Sequence, residues 1–155
     1  MALYSQTYFW LANRRILRVR FNVSRAFSNN VNIEDVSVYG TGEGFRGGAR
    51  PGRSFFVDAS WEYSVTRNWV LALDATYRHQ GNTQVNGYNI LARNRLQNSS
   101  AIRMDSGSSE AFGFAPAIEY SWKPNLGVLI GTRLIAGGHN TATSITPAVA
   151  INFVH

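Results

Sequence analysis

Cysteine is absent from the 155 residues, which excludes disulfide scaffolds, thiolate metal sites and cysteine nucleophiles and leaves the redox compartment open. Long apolar runs are absent too: the longest stretches are interrupted by Asp74, Gly127 or Gly131, so no membrane-crossing helix is expected. Lysine is nearly missing. Fourteen arginines and the single Lys123 face nine acids, for a formal net charge of +6. The arginines are scattered over expected loops and one strand face, with no basic helix to enter a groove, so no nucleic-acid partner is expected. The opening residues MALYSQTYFWLANRR place their charge after the apolar part and lack a small-residue cleavage site. They do not read as a secretory signal, so the expectation is that either the chain stays in the cytoplasm or its true beginning is missing.

What the chain does have is alternation. From Phe55 to Val65 every second residue (Phe55, Val57, Ala59, Trp61, Tyr63, Val65) is apolar, and from Trp69 to Tyr77 the same holds for Trp69, Leu71, Leu73, Ala75 and Tyr77, as in strands with two unlike faces. The three residues Thr66 to Asn68 make a turn that brings the two apolar faces together. Hairpins are expected at 3–27, 53–79 and 110–136, with a final strand at 143–155. Long loops are expected at 28–52 and 80–106, with a short strand at 36–39. The EYSVTRN and EYSWKPN turns repeat one another. The first strand has an unsettled phase, since Tyr4, Tyr8 and Trp10 oppose Phe9 and Leu11. The expected class is all-β, an antiparallel meander of about seven strands forming one barrel segment.

The environment is inferred from the faces. The apolar face of the last five strands carries no Asp, Glu, Lys or Arg, whereas the interleaved face carries Asp58, Glu62, Asp74, Arg78, Glu119 and Arg133. Trp61, Tyr63, Trp69, Tyr120, Trp122 and Phe153 crowd the short turns and the C-terminus, where a membrane barrel keeps an aromatic girdle. Each limb has roughly the 9–11 residues that a tilted strand needs to cross a bilayer. The expectation is a Gram-negative outer-membrane barrel whose six charges face the lumen, with membrane lipid as partner and a small-molecule solute as cargo. A soluble β-sandwich binding module is the alternative, because the same alternation fills a core. Both ends of a bacterial barrel are periplasmic, so seven strands imply missing N-terminal strands or other chains that close the ring.

Other signals are weaker. The cluster YGTGEGFRGG lacks the Gly-Lys-Ser/Thr ending of a phosphate loop and reads as a flexible loop. A barrel-borne lipid or ester hydrolase would draw on His79, His139, Ser144, Asp74 and Glu119. There is, however, no G-x-S-x-G turn and no metal-spaced histidine pair, so no catalytic residue, metal ligand or cofactor is assigned and no enzyme is expected. Arg46, Arg50, Arg53, Arg93, Arg95 and Arg103 have the chemistry to pair with lipid phosphates, but read better as solvated loop residues. Pro116 and Pro147 fall inside expected strands, where each demands a bulge, an edge or a ladder gap.

The runs SFFVDASWEYSVTRNWVLALDATYRH, SGSSEAFGFAPAIEYSWKPNLGVLIGTR and ITPAVAINFVH resemble the C-terminal half of outer-membrane transporter barrels of the type associated with the MetA pathway of phenol degradation. The resemblance covers about residues 53–155. It implies a barrel of about twelve strands that passes small apolar or aromatic compounds. Such families commonly end in Phe, and here His155 stands in that place.

Overall fold

The computed structural model describes residues 1–90, 100–123 and 125–153. In chain order the strands are β1 (Ala2–Leu11), β2 (Arg15–Ala26), β3 (Val31–Glu34), β4 (Phe45–Arg50), β5 (Ser54–Ser64), β6 (Trp69–Gln80), β7 (Gln84–Asn89), β8 (Ser100–Asp105), β9 (Ser109–Lys123), β10 (Leu126–Gly137) and β11 (Ser144–Phe153). There is no α-helix among the described residues. The fold is all-β, as the alternation predicts, and it contains two sheets, ordered β1-β2-β5-β6-β9-β10-β11 and β3-β4-β7-β8. The chain divides correspondingly into two compact units, 1–25 with 55–79 and 110–155, and 26–54 with 80–109.

The seven-stranded sheet is the expected meander. β1 pairs antiparallel with β2 in a register that sets Tyr8 opposite Arg18 and Gln6 opposite Arg20. This settles the phase of β1: Tyr4, Gln6 and Tyr8 share the polar face, linked by Tyr4 Oη to Gln6 Oε1 and Gln6 Nε2 to Tyr8 Oη, both 2.6 Å. Phe9 opposite Leu17 and Leu3 opposite Val23 lie on the apolar face. The connection to β2 is a tight turn with Asn13 and Arg14 at φ +63° and +61°, the two left-handed positions of a hairpin turn that matches strand twist.

The turn after β5 is closed by Thr66 Oγ1, which accepts from the amides of Asn68 and Trp69 at 3.2 and 3.1 Å. Asn68 then joins β9, donating Nδ2 to the Ser121 carbonyl at 2.6 Å and accepting from the Ser121 amide at 2.8 Å. The prolines behave as their missing donor requires. Across Pro116 the β9–β10 ladder keeps its register but leaves Ala115 and Pro116 unpaired, between Gly131 opposite Ala117 and Leu134 opposite Phe114. Pro147 lies in β11, an end strand of the sheet.

The second sheet overturns the loop expectation for 28–52 and 80–106. The short strand is Val31–Glu34 rather than 36–39, and the end of the glycine cluster, from Phe45 on, is strand β4. Gly47 of β4 stands opposite Gly87 of β7, and the ring of Phe45 covers both, its Cζ falling 2.9 and 2.5 Å from where a β-carbon at 47 or 87 would be. Glycine at both positions admits the ring and the close approach of the paired backbones, since a β-carbon at 47 would overlap the Asn86 carbonyl oxygen and one at 87 that of Arg46. Phe45, 1% exposed, forms a core with Ile33, Ala49 and Val85, and Tyr39, Ile102 and Met104 pack on it. The long polar segments mask this core because, among the described residues, only four of theirs are buried and apolar. Arg93 and Arg95 lie outside the described residues.

Candidate functional site

The polar face of the seven-stranded sheet gathers charge in a fixed order. β2 supplies Arg18 and Arg20 and β5 supplies Glu62, whose carboxylate takes both guanidinium groups: Arg18 Nη2 on Oε2 and, at 2.7 Å, Arg20 Nη2 on Oε1. The strand alternation dictates this, since all three residues point to one side and neighbouring strands bring them into line. The Arg20 Nε is shielded and has no hydrogen-bond partner among the described residues. Ser60, 3% exposed, donates to Asp58 Oδ2 at 3.4 Å, and Asp58 feels the charges of Asp74 and Arg20. A concavity of about 330 Å³ lies over this face, bordered by Arg18, Arg20, Glu62, Asp74, Glu119 and Arg133 and floored by alanines and Gly131. Glycine keeps the floor open. A β-carbon at 131 would stand 2.8 Å from that of Ala117.

Of the six lumen residues expected from sequence, the concavity therefore collects Glu62, Asp74, Glu119 and Arg133, with Asp58 joined to it through Asp74 and Arg20. Arg78 keeps to the same face of β6 as Asp74 but does not border the concavity; its guanidinium lies 5.7 Å from the centre of the ring of Phe56, which shares the Asp58 and Glu62 face of β5. Arg18 and Arg20 were legible as polar-face residues, but nothing in the sequence marks them as partners of Glu62, a pairing that spans 44 and 42 positions.

The opposite face is apolar and open. Trp61 is 39% exposed, Leu73 41%, Ile130 53% and Val149 71%. Its aromatic residues form two rows. At the short turns, Trp69 lies 4.6 Å from Tyr120, which lies 5.4 Å from Trp122, and Arg15 donates to the Tyr63 hydroxyl at 2.7 Å while facing its ring. Trp122 and Phe153 are exposed. At the far end Phe55, Tyr77 and Phe112 make a second row, with centroid spacings of 6.3 and 4.9 Å. The expected girdle, drawn to the turn end, left this row out. Its signal is the recurrence of an aromatic residue eight positions along each strand: 55 and 63, 69 and 77, 112 and 120. Eight residues of strand span roughly 26 Å, or roughly 20 Å along the membrane normal at the tilt of roughly 35–45° found in membrane barrels, against an apolar band of roughly 25 Å between their aromatic girdles.

The hydrolase candidates do not assemble into a relay. The His79 Nδ1 meets Glu110 at 3.3 Å, not Asp74 or Glu119. His139 contributes its backbone carbonyl, to the Glu110 amide at 2.9 Å and to Thr141. Among the described residues no three His, Cys, Asp or Glu side chains are grouped to hold a metal ion. No family model, curated protein or solved structure matches this chain.

Proposed function

We propose that the chain is a segment of a Gram-negative outer-membrane β-barrel whose apolar face meets lipid and whose charged concavity lines a passage for small solutes. One observation carries this reading. The buried apolar side chains among the described residues, Ile33, Phe45, Ala49 and Val85, all belong to 26–54 and 80–109, so the seven-stranded sheet buries none of its own large apolar residues. A water-soluble sheet is held by such burial. A sheet that turns leucine, isoleucine and tryptophan outward and arginine, glutamate and aspartate inward has the polarity of a membrane barrel. The paired aromatic rows support the same orientation.

β1 and β11 each have a single neighbour, and in an antiparallel seven-stranded meander they run in the same direction. Antiparallel closure then takes an odd number of further strands, supplied by another segment or chain. The resemblance of residues 53–155 to phenol-pathway barrels favours small apolar or aromatic solutes as cargo. The test is insertion into vesicles of brominated lipid: Trp61 and Trp69 fluorescence should be strongly quenched. A chain that is monodisperse without detergent, with unquenched tryptophans, rules the proposal out.

A further inference from the structure

The unit formed by 26–54 and 80–109 holds a pocket of about 640 Å³ that the barrel reading does not use. Its lining is polar. Ser28, Asn29 and Asn30 come from the segment before β3, and Arg50, Gly52 and Arg53 from the end of β4 and the link to β5. Gly52 runs so close to Gly81 that a β-carbon at 52 would overlap the Gly81 carbonyl, and the Gly81 amide donates to the Arg53 carbonyl at 2.8 Å. The floor is therefore fixed backbone. The Gly52 amide is held by Thr83 Oγ1 at 3.0 Å, and its carbonyl accepts from Gln80 Nε2 at 3.1 Å.

The two guanidinium groups are differently prepared. Arg53 lies 5.8 Å from the centre of the Phe27 ring, a stacking contact that orients its fork. Arg50 has no ion-pair partner among the described residues. The nearby carboxylate, Asp105, is occupied by Asn82 Nδ2 at 3.0 Å and by Arg103 at 3.4 Å, so it does not neutralise the pair. Two guanidinium forks suit a phosphate or carboxylate. The adjoining serine and asparagines offer donors and acceptors for hydroxyl groups, and among the described residues no aromatic ring lines the pocket as a platform for an uncharged sugar. The volume lies in the range of small-molecule sites, about 300–1,000 Å³.

We propose that this pocket binds a phosphorylated saccharide, Arg50 and Arg53 holding the phosphate and Ser28, Asn29 and Asn30 the sugar hydroxyls. This inference stands on the second unit alone and does not depend on the fate of the seven-stranded sheet. The ligand chemistry has two sources, a phosphorylated glycolipid headgroup or a free sugar phosphate.

The test is calorimetric titration of the full chain in detergent micelles with glucose 6-phosphate, glucose and inorganic phosphate. Glucose 6-phosphate should bind at least about tenfold more tightly than either of the others, and Arg50→Gln and Arg53→Gln should each weaken it about tenfold or more, the loss expected for one charge-assisted hydrogen bond. Arg53→Lys should recover part of that loss. Asn30→Asp, which leaves both arginines in place, should weaken binding through its added charge. Inorganic phosphate or glucose binding as tightly as glucose 6-phosphate overturns the proposal, as does unchanged affinity in a folded Arg50→Gln/Arg53→Gln protein. A parallel titration with a phosphorylated glycolipid in mixed micelles, against its dephosphorylated form, separates the sources. Tighter binding than glucose 6-phosphate identifies the headgroup, and equal binding identifies the free sugar phosphate.

Discussion

Two sheets in one chain use the same alternation in opposite ways. In the four-stranded sheet the apolar residues turn toward one another and Phe45 is 1% exposed; in the seven-stranded sheet they turn outward and Val149 is 71% exposed. The hydrophobic effect holds the first together in water. The second holds its form through its strand ladders, its aromatic rows and the Arg18–Glu62–Arg20 clamp, and its apolar face is left open. The contrast shows that period-two alternation specifies a two-faced strand without specifying which face is wet.

The sharpest way to break the comparison is to remove the one large side chain that is fully buried among the described residues. Phe45→Ala should destabilise the four-stranded sheet by about 3–5 kcal/mol, the usual loss for a core phenylalanine, and the empty space over Gly47 and Gly87 adds to the effect. Limited proteolysis should then cut within 26–54 and 80–109. If those segments stay resistant, the Phe45 core is not what holds them.

A charge on the other sheet separates lipid from water. Leu73 lies midway between Trp69 and Tyr77, on the open face. In a bilayer, Leu73→Arg should cost about 2–4 kcal/mol at the midplane, read from denaturant unfolding in vesicles. In a sheet whose open face meets water, the same change would be nearly neutral.

How much of this was legible depends on distance along the chain. The seven long strands, their turns and the polarity of their faces are local patterns, and residues such as Leu71, Asp74 and Pro116 behave as their positions dictate. The four-stranded sheet was not legible. Its strands are four to six residues long, and its core rests on pairings such as Gly47 with Gly87, forty positions apart. A run of glycines is ambiguous until the ring that covers it is known. The charged concavity was half legible: alternation put Arg18, Arg20 and Glu62 on one face, but only the strand order makes Glu62 the common partner.

That partnership gives a prediction of intermediate size. Glu62→Gln leaves two guanidinium groups facing each other without their carboxylate. The side chains are 20–34% exposed, so the destabilisation should fall between the about 1 kcal/mol of a surface pair and the about 3–5 kcal/mol of a buried one. The double change of Glu62→Gln with Arg18→Gln should recover part of it, since it removes one of the two stranded cations. Additive losses in a double-mutant cycle would mean that the clamp carries no coupling.

The smallest expected effect lies in the four-stranded sheet and depends on pH. Hydrogen bonding from Asn82, with the Arg103 charge second, holds the Asp105 carboxyl below the ordinary carboxylate range. A carboxylate with a depressed folded value stabilises the fold above its unfolded pKa, and that contribution is lost as pH falls through the folded value. Asn82 also accepts from the Gly107 amide at 2.9 Å, and Ser106 Oγ accepts from the Thr83 amide at 2.9 Å. Acidification below about pH 4, where an unperturbed aspartate titrates, should therefore first loosen the end of the β7–β8 pair. Faster hydrogen exchange at Thr83 and Gly107 relative to Gly47 would register this, and Asp105→Asn should flatten that pH dependence. A flat profile in the unmodified chain would mean that the Asn82–Asp105 contact is not formed in solution.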